Sequence, residues 1–200
     1  MNHAHAISPR PFAPWAEIVP GAPRATAESL LARQDDGWQY EVVEGVLVRM
    51  AGSGLRASTI ARRLAGRLGD FVDDRGLGQV TGADGVYKFS GAETGLVPDV
   101  GFFGAARQPL IKDPNKPIPF APDLAVEVAS PSQDRADMAA KTALYFDGGT
   151  RLVWIVWPDH YEVDVWHPAD SMPRTLRAGD TLDGENVMPG LTYAVAELFA

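Results

Sequence analysis

The sequence predicts an α/β fold, with a mixed central sheet flanked by helices and preceded by an N-terminal helix and a β-hairpin. Two observations predict it. The central part of the chain alternates β-rich runs and amphipathic segments, in the order helix, three strands, helix, strand. The run LAVEVA (124–129) is almost wholly apolar and lies between Pro-Asp and Ser-Pro-Ser, which is typical of a strand buried on both faces.

The first half of the chain supplies two helices around a hairpin. The stretch TAESLLARQ (26–34) predicts a short helix with Thr26 as its N-cap. WQYEVVEGVLVRM (38–50) has two β-rich halves around Glu44-Gly45, which predicts a tight turn at these two residues. Apolar residues then recur at helical spacing as far as a glycine stop at Gly76 or Gly78, so this segment is the longest predicted helix.

The second half supplies the remaining layers. GVYKF (85–89) and LVPDVGFF (96–103) are predicted strands, and the Pro-rich stretch 107–122 is a predicted surface excursion. A helix begun near Ser132 or Asp134 should connect the strand LAVEVA to the strand RLVWIVWP (151–158). If these two strands are parallel neighbours, the connection is a crossover that covers one face of the sheet.

Composition limits the chemistry. The 200 residues are 46% hydrophobic and contain no apolar run long enough for a bilayer, so we expect one domain over 26–200, preceded by a Pro-rich arm over 1–25. No signal-peptide pattern is present, which favours a cytoplasmic location without membrane association. Because cysteine is absent, disulfides, thiolate zinc sites and a cysteine nucleophile are excluded, and any metal must be held by oxygen or imidazole.

The net charge of −8 argues against a broad basic surface for nucleic acid. Five arginines nevertheless occur between Arg49 and Arg67 without an acidic residue among them. At helical spacing Arg56, Arg63 and Arg67 fall on one side of the long helix, beside its apolar stripe. Such a row is either a contact for DNA phosphates or a solvated helix face, and solvated faces are the more frequent case.

Glu127 is the anomaly within the apolar strand. An ionised carboxylate in an apolar interior costs several kcal/mol, roughly, unless a partner, a metal or a raised pKa relieves it. If LVPDVGFF pairs with LAVEVA, Asp99 can lie beside Glu127, and Lys141 on the following helix can reach both. Two carboxylates on adjacent strands can hold Mg²⁺ for phosphodiester hydrolysis, and the lysine can position the attacking water or offset charge on the phosphate.

Structural interpretations stand beside these functional ones. Pro-Asp occurs three times in the chain, so Asp99 taken alone favours a turn. A buried salt bridge to Lys141 or to an arginine would also satisfy Glu127 without catalysis. Glu44 is most simply a turn residue before Gly45, and the alternative is a further acid that approaches the site.

Several motifs resemble the Uma family of putative restriction endonucleases, formerly a domain of unknown function. They are YEVVEGVLVRM, VPDVGFF, the long run from PDLAVEVASPSQ to RLVWIVWP, and the closing VMPGLTYAVAELF. The resemblance covers roughly Thr26 to Phe199 and implies membership of the PD-(D/E)XK nuclease superfamily, with its restriction-endonuclease-like fold. It implies Asp99 and Glu127 as the catalytic, metal-binding acids. Ala129 stands where the usual motif has lysine, and Lys141 takes that role.

The resemblance also implies Mg²⁺ or Mn²⁺ as the cofactor, DNA as the substrate and a homodimer as the assembly. The expected activity is therefore metal-dependent endonucleolytic hydrolysis of DNA. The alternative is a non-catalytic dimeric interaction module that retains a vestigial nuclease site, and the low positive charge of the chain favours it.

Overall fold

The computed structural model describes residues 13–33, 36–91 and 93–200. The strands are β1 (Glu17–Ile18), β2 (Trp38–Val43), β3 (Val46–Ala51), β4 (Gly78–Thr81), β5 (Tyr87–Lys88), β6 (Gly95–Leu96), β7 (Val100–Gly104), β8 (Leu124–Val128), β9 (Leu152–Trp157), β10 (Glu162–Trp166), β11 (Arg174–Leu176), β12 (Thr181–Asp183) and β13 (Thr192–Ala194). The α-helices are α1 (Ala27–Leu31), α2 (Leu55–Arg75), α3 (Arg135–Asp147) and α4 (Val195–Leu198), and a 3-10 helix spans Ala105–Leu110.

Six strands form the predicted mixed central sheet, in the order β11-β10-β9-β8-β7-β4. Strands β8 and β9 are parallel neighbours, as the crossover through α3 requires, and β7 lies antiparallel on the other side of β8. A second sheet has the order β1-β3-β2-β6-β5, and β12 pairs with β13. The α/β fold with a mixed sheet flanked by helices is therefore confirmed.

The two faces of the central sheet carry different layers. Alternate residues of β8 pack with α2, where Val126 and Leu64 belong to one apolar core. The opposite face packs with α3 and with the second sheet, where Ala125, Tyr145 and Val48 belong to another core. Because successive side chains of a strand point to opposite faces, Glu127 belongs to the face of Ala125. It therefore points between the central sheet and the layer formed by α3 and the hairpin.

Helix and turn positions follow their predicted local signals. Thr26 caps α1 by accepting a hydrogen bond from the Ser29 amide, and Asp134 caps α3 by accepting one from the Asp137 amide. Glu44 and Gly45 form the turn between β2 and β3 with φ of 51° and 81°. Two successive positive φ values are those of the tight hairpin turn that glycine favours at its second position.

The predicted strand LVPDVGFF is two strands in different sheets. Its start belongs to β6, which pairs with β2 in the second sheet, and its end is β7 in the central sheet. Pro98 lies between them, and a proline has no amide hydrogen with which to continue a ladder. The chain passes from one sheet to the other at this proline and enters the central sheet directly after Asp99.

The described part of the predicted N-terminal arm packs on the domain. Trp15 is buried, and β1 pairs with the outer edge of β3. Residues 1–12 lie outside the described residues, so the division into an arm at 1–25 and a domain at 26–200 stays a prediction. None of the helices in the described ranges combines the length and apolar character that a bilayer crossing needs.

Candidate active site

The central sheet brings Asp99 and Glu127 together. Val100 pairs with Val126 between the antiparallel strands β7 and β8. One step further along this register, Asp99 is opposite Glu127 on the same face of the sheet. Asp99 Oδ2 also accepts a hydrogen bond of 2.7 Å from the Val128 amide, which fixes the Asp99 side chain against β8.

Lys141 reaches this pair from α3. Its Nζ lies 2.9 Å from Glu127 Oε1, and both side chains are buried, with 3% of the lysine and 8% of the glutamate side chain exposed. Lys141 lies in the second turn of α3, on the side that covers β8 and β9. The structure thus brings together Asp99, Glu127 and Lys141, the three residues predicted for the site.

Glu41 is a fourth member of the site and was not predicted. This fully buried carboxylate in β2 lies 3.1 Å from Lys141 Nζ through Oε1. The same oxygen accepts a hydrogen bond of 3.0 Å from the Val97 amide, and Oε2 accepts one of 3.1 Å from Trp15 Nε1. Each oxygen of Glu41 is therefore engaged by donors of the protein itself, as expected of a residue that holds Lys141 in place.

The signal for Glu41 was present in the sequence. It is a carboxylate inside a β-rich run, which is the feature that singled out Glu127. Glu44, considered as a further acid, lies in the exposed hairpin turn and lines a different cavity together with Lys88 and Lys112. The turn interpretation of Glu44 is therefore correct, and the acid that enters the site lies three residues earlier.

Tyr145 completes the network around Glu127. It follows Lys141 by one helical turn on the same face of α3, and its hydroxyl donates a hydrogen bond of 2.5 Å to Glu127 Oε1. Burial raises the pKa of Tyr145 well above its ordinary value, so the phenol keeps its proton and acts as a donor. Lys141 and Tyr145 both bind Oε1 of Glu127 and leave Oε2 toward the cleft.

Burial and mutual charge set the protonation of the site. Burial raises the pKa of Glu127 to about 7; the Lys141 ammonium opposes this rise, whereas the Asp99 and Glu41 carboxylates add to it. Burial also raises the pKa of Asp99, although the Val128 amide and Lys141 act in the opposite direction. Burial alone would lower the pKa of Lys141, but the carboxylates around it outweigh that effect and raise it. The carboxylates thus favour the ammonium form of Lys141 in a site with excess negative charge.

Asp99 and Glu127 line one cleft of about 660 Å³, together with Lys141. Among the described residues, Asp99 Oδ1 and Glu127 Oε2 accept no hydrogen bond, so each acid presents one oxygen to a ligand. Hard oxygen donors and an excess of negative charge fit a divalent cation such as Mg²⁺. No group of three or more His, Asp or Glu side chains in the described ranges is arranged to hold a metal. A cation here would therefore depend on two carboxylates and on water.

The arginine row of α2 lies on a largely solvent-exposed helix face, where the side chains of Arg56 and Arg67 keep 47% and 63% of their surface exposed. Arg56 pairs with Asp159 at 3.2 Å, and Arg67 lies 3.7 Å from Glu197. Arg63 donates a hydrogen bond of 3.5 Å to the Leu198 carbonyl. The row is thus a solvated helix face with surface ion pairs, which agrees with the second of its two predicted interpretations.

Comparisons with known proteins agree with this fold. The structure resembles the crystal structure of a putative nuclease belonging to DUF820 from Anabaena variabilis ATCC 29413, with a TM-score of 0.73 at 19% sequence identity. The match covers 88% of this chain and 97% of that chain, and at this identity it establishes the fold alone. No curated protein matches the chain. The family model Uma2, described as "Putative restriction endonuclease", matches residues 27–196 and so confirms the resemblance seen in the motifs: the chain belongs to the Uma2 family.

Proposed function

We propose that this protein is a metal-dependent endonuclease that hydrolyses phosphodiester bonds of DNA. One observation carries the proposal: Asp99, directly before β7, and Glu127, on the neighbouring strand β8, line one cleft, and the buried ammonium of Lys141 lies 2.9 Å from Glu127. Two acids can hold a divalent cation that activates water, and a lysine can stabilise the charge that develops on a phosphate diester.

Asp99 and Glu127 would hold Mg²⁺ or Mn²⁺ through the two oxygens that face the cleft. When bound, the cation lowers the pKa of a coordinated water and offsets negative charge on the phosphate. The Val128 amide and the Tyr145 hydroxyl fix the remaining oxygen of each acid. The two acids are therefore oriented before a ligand arrives, which reduces the cost of binding.

Lys141 acts as a charged donor rather than as a general base. In the metal-free site the carboxylates of Glu127, Glu41 and Asp99 raise the pKa of Lys141, which favours its charged ammonium form, a hydrogen-bond donor. As a fixed positive charge at the floor of the cleft, it orients the attacking water and stabilises the charge that develops on the phosphate. Glu41 positions this ammonium without itself facing the substrate.

Cleavage of labelled DNA with and without Mg²⁺ tests the proposal. We expect Asp99→Asn and Glu127→Gln to abolish cleavage while the far-UV circular dichroism spectrum stays that of the wild type. Asp84→Asn, at an exposed aspartate outside the cleft, is the matched control and should cleave normally. Equal cleavage by all three variants, or by wild type in excess chelator, would contradict the proposal.

The homodimer and the cytoplasmic location stay predictions. Nucleases that cut both strands of a duplex are commonly two-fold symmetric, since one site then serves each strand. Sedimentation velocity at micromolar concentration should give the mass of a dimer. A monomer under these conditions, with or without DNA, would remove the expectation.

A second candidate function is the non-catalytic interaction module. The observation in its favour is that Glu41, Lys141, Tyr145 and Glu127 satisfy one another and so could serve as a structural network alone. Calorimetric titration with Mn²⁺ separates the two candidates. A module with a vestigial site predicts no binding, whereas the nuclease predicts binding that Asp99→Asn removes.

A further inference from the structure

Trp38 is an exposed aromatic residue at the rim of the carboxylate cleft. It is the first residue of β2 and lines the same cleft as Asp99 and Glu127. The side chain keeps 39% of its surface exposed. By strand alternation Trp38 is on the hairpin face opposite Glu41, at the end of β2 that borders the cleft. An exposed tryptophan there offers a flat π surface at the rim of the cleft, and such surfaces stack nucleobases irrespective of their sequence.

Arg49 holds the indole of Trp38 in place. Tyr40 pairs with Arg49 and Trp38 pairs with Ala51, so Arg49 and Trp38 are diagonal neighbours on one face of the hairpin. The guanidinium carbon of Arg49 lies 4.2 Å from the indole centroid, and Glu17 fixes the arginine by an ion pair of 3.0 Å. Because one face of the indole rests on a fixed cation, a ligand that stacks on this ring would lose little conformational entropy of the protein.

The loop between β8 and α3 lines the cleft with polar groups. Ser130, Ser132 and Gln133 come from this loop, and the two serine hydroxyls lie 3.1 Å apart. The cleft thus receives aromatic and guanidinium groups from the hairpin and hydroxyl groups from the loop after β8. A single polynucleotide strand has the same asymmetry, with bases along one edge and sugar and phosphate along the other.

The charge distribution disfavours a long duplex footprint. Binding a duplex relies on several Lys and Arg side chains that contact phosphates of both strands. In the described part of the chain, Arg56 and Arg67 are paired with acids, and Arg63 binds the Leu198 carbonyl. The net charge of −8 on the whole chain weakens long-range attraction to a duplex and so favours recognition by groups of the cleft.

We propose that the cleft takes DNA whose bases are unpaired next to the scissile phosphate, with one base stacked on Trp38. This inference rests on the proposed nuclease function and specifies its substrate class. The base lies on the Trp38 side, the sugar and phosphate lie along the serine side, and the phosphate approaches Asp99 and Glu127.

Fluorescence anisotropy in excess chelator measures binding without cleavage. The probes are a labelled oligothymidine of roughly 12 nucleotides and the same oligonucleotide annealed to its complement. We expect the full-length protein to bind the single strand at least about tenfold more tightly than the duplex. Trp38→Ala should weaken single-strand binding by about tenfold or more, since stacking on one aromatic residue has that magnitude, and Trp38→Phe should retain most of it.

Tyr161 is the matched control. It is an exposed aromatic residue, 51% exposed, that lies beneath an arginine outside the cleft, with Arg56 4.8 Å from its ring centroid. Tyr161→Ala should leave single-strand binding unchanged. Single-strand affinity that is equal in wild type, Trp38→Ala and Tyr161→Ala would overturn the inference, and so would equal affinity for single strand and duplex.

Cleavage with Mg²⁺ distinguishes this inference from the proposed function. If wild type cleaves DNA and Asp99→Asn does not, the nuclease proposal stands, and preferential cleavage of the duplex then overturns only the substrate class. If no DNA is cleaved but single strands bind through Trp38, the nuclease proposal fails and the stacking surface stands. Absence of both cleavage and binding overturns both.

Discussion

Glu41 Oε1 and Lys141 Nζ lie 3.1 Å apart, although one belongs to the N-terminal hairpin and the other to the helix after the Glu127 strand. The lysine is therefore shared between two carboxylates, Glu41 behind it and Glu127 at the cleft. Glu41 has no oxygen left for a substrate, since Val97 and Trp15 donate to it as well. Its contribution to activity has to come through the position of Lys141.

Glu41→Gln tests this positioning role. The substitution keeps the shape of the side chain and removes the charge that holds the ammonium. We expect kcat for DNA cleavage to fall by about 10- to 100-fold, the usual effect of losing a residue that supports a direct ligand. KM and the affinity for Mn²⁺ should change little, because Asp99 and Glu127 remain.

Glu44→Gln is the control for this prediction, because it alters an exposed acid of the same hairpin outside the site. It should leave kcat unchanged. An equal loss of kcat in both variants would show that the hairpin charge, rather than the contact with Lys141, is responsible.

Lys141→Met should destabilise the fold when no divalent metal is present. It leaves Glu41 and Glu127 buried without their cation, and breaking a buried ion pair costs about 3–5 kcal/mol. Urea denaturation of the metal-free protein measures the change in unfolding free energy. Mn²⁺ should recover part of the loss, because the cation replaces the missing positive charge.

Lys88→Met provides the comparison for an exposed ion pair. Lys88 lies 2.7 Å from Glu28 at the surface, where such pairs contribute about 0–1 kcal/mol. A loss of stability for Lys141→Met no larger than that of Lys88→Met would contradict the buried network.

The stability of the fold should depend on pH through the titration of Glu127. Its folded pKa is raised from 4.5 to about 7, so the folded state binds a proton more tightly than the unfolded state. The contribution of protonated Glu127 to the free energy of unfolding is fully present below pH 4.5 and is lost as the pH rises toward 7. In chelator, wild type should therefore lose stability relative to Glu127→Gln across this interval.

Metal binding should depend on pH in the opposite direction. Binding of a cation requires ionised Glu127, so affinity for Mn²⁺ should rise as the pH approaches 7 and level off above it. Calorimetry in buffers of different ionisation enthalpy would detect the released proton. Affinity that does not vary from acidic to neutral pH would contradict a role for Glu127 as a ligand.

Asp164→Ala should destabilise the fold at a distance from the cleft. Asp164 is buried in β10 and accepts hydrogen bonds from Trp157 Nε1 at 2.8 Å and Thr175 Oγ1 at 2.6 Å, and it pairs with Arg135. Its removal leaves buried donors unsatisfied, so we expect a loss of about 3 kcal/mol or more. Thermal unfolding measures the loss, and unchanged stability would show that water replaces the carboxylate.

Local sequence signals determined the helices, the hairpin turn and the apolar strand that carries Glu127. Caps at Thr26 and Asp134, and the Glu44-Gly45 turn, depend on residues that are close in the chain. Asp99, Glu127 and Lys141 were predicted as site residues for two reasons. The Glu127 carboxylate could not be buried without a partner, and the motifs resemble those of the Uma family. Local patterns and the solvation cost of a charge need no coordinates.

Only the tertiary structure decided which acid reaches Lys141 from the hairpin and which strand follows Asp99. The sequence marks Glu41 as a carboxylate inside a β-rich run, but its partners are identifiable only once the second sheet is packed against α3, because they are far from it in sequence. The break of LVPDVGFF at Pro98 and the pairing of Arg56 with Asp159 and of Arg67 with Glu197 likewise depend on which surfaces meet. Packing between distant segments sets these contacts, and the periodicity of a single segment carries no information about its partner.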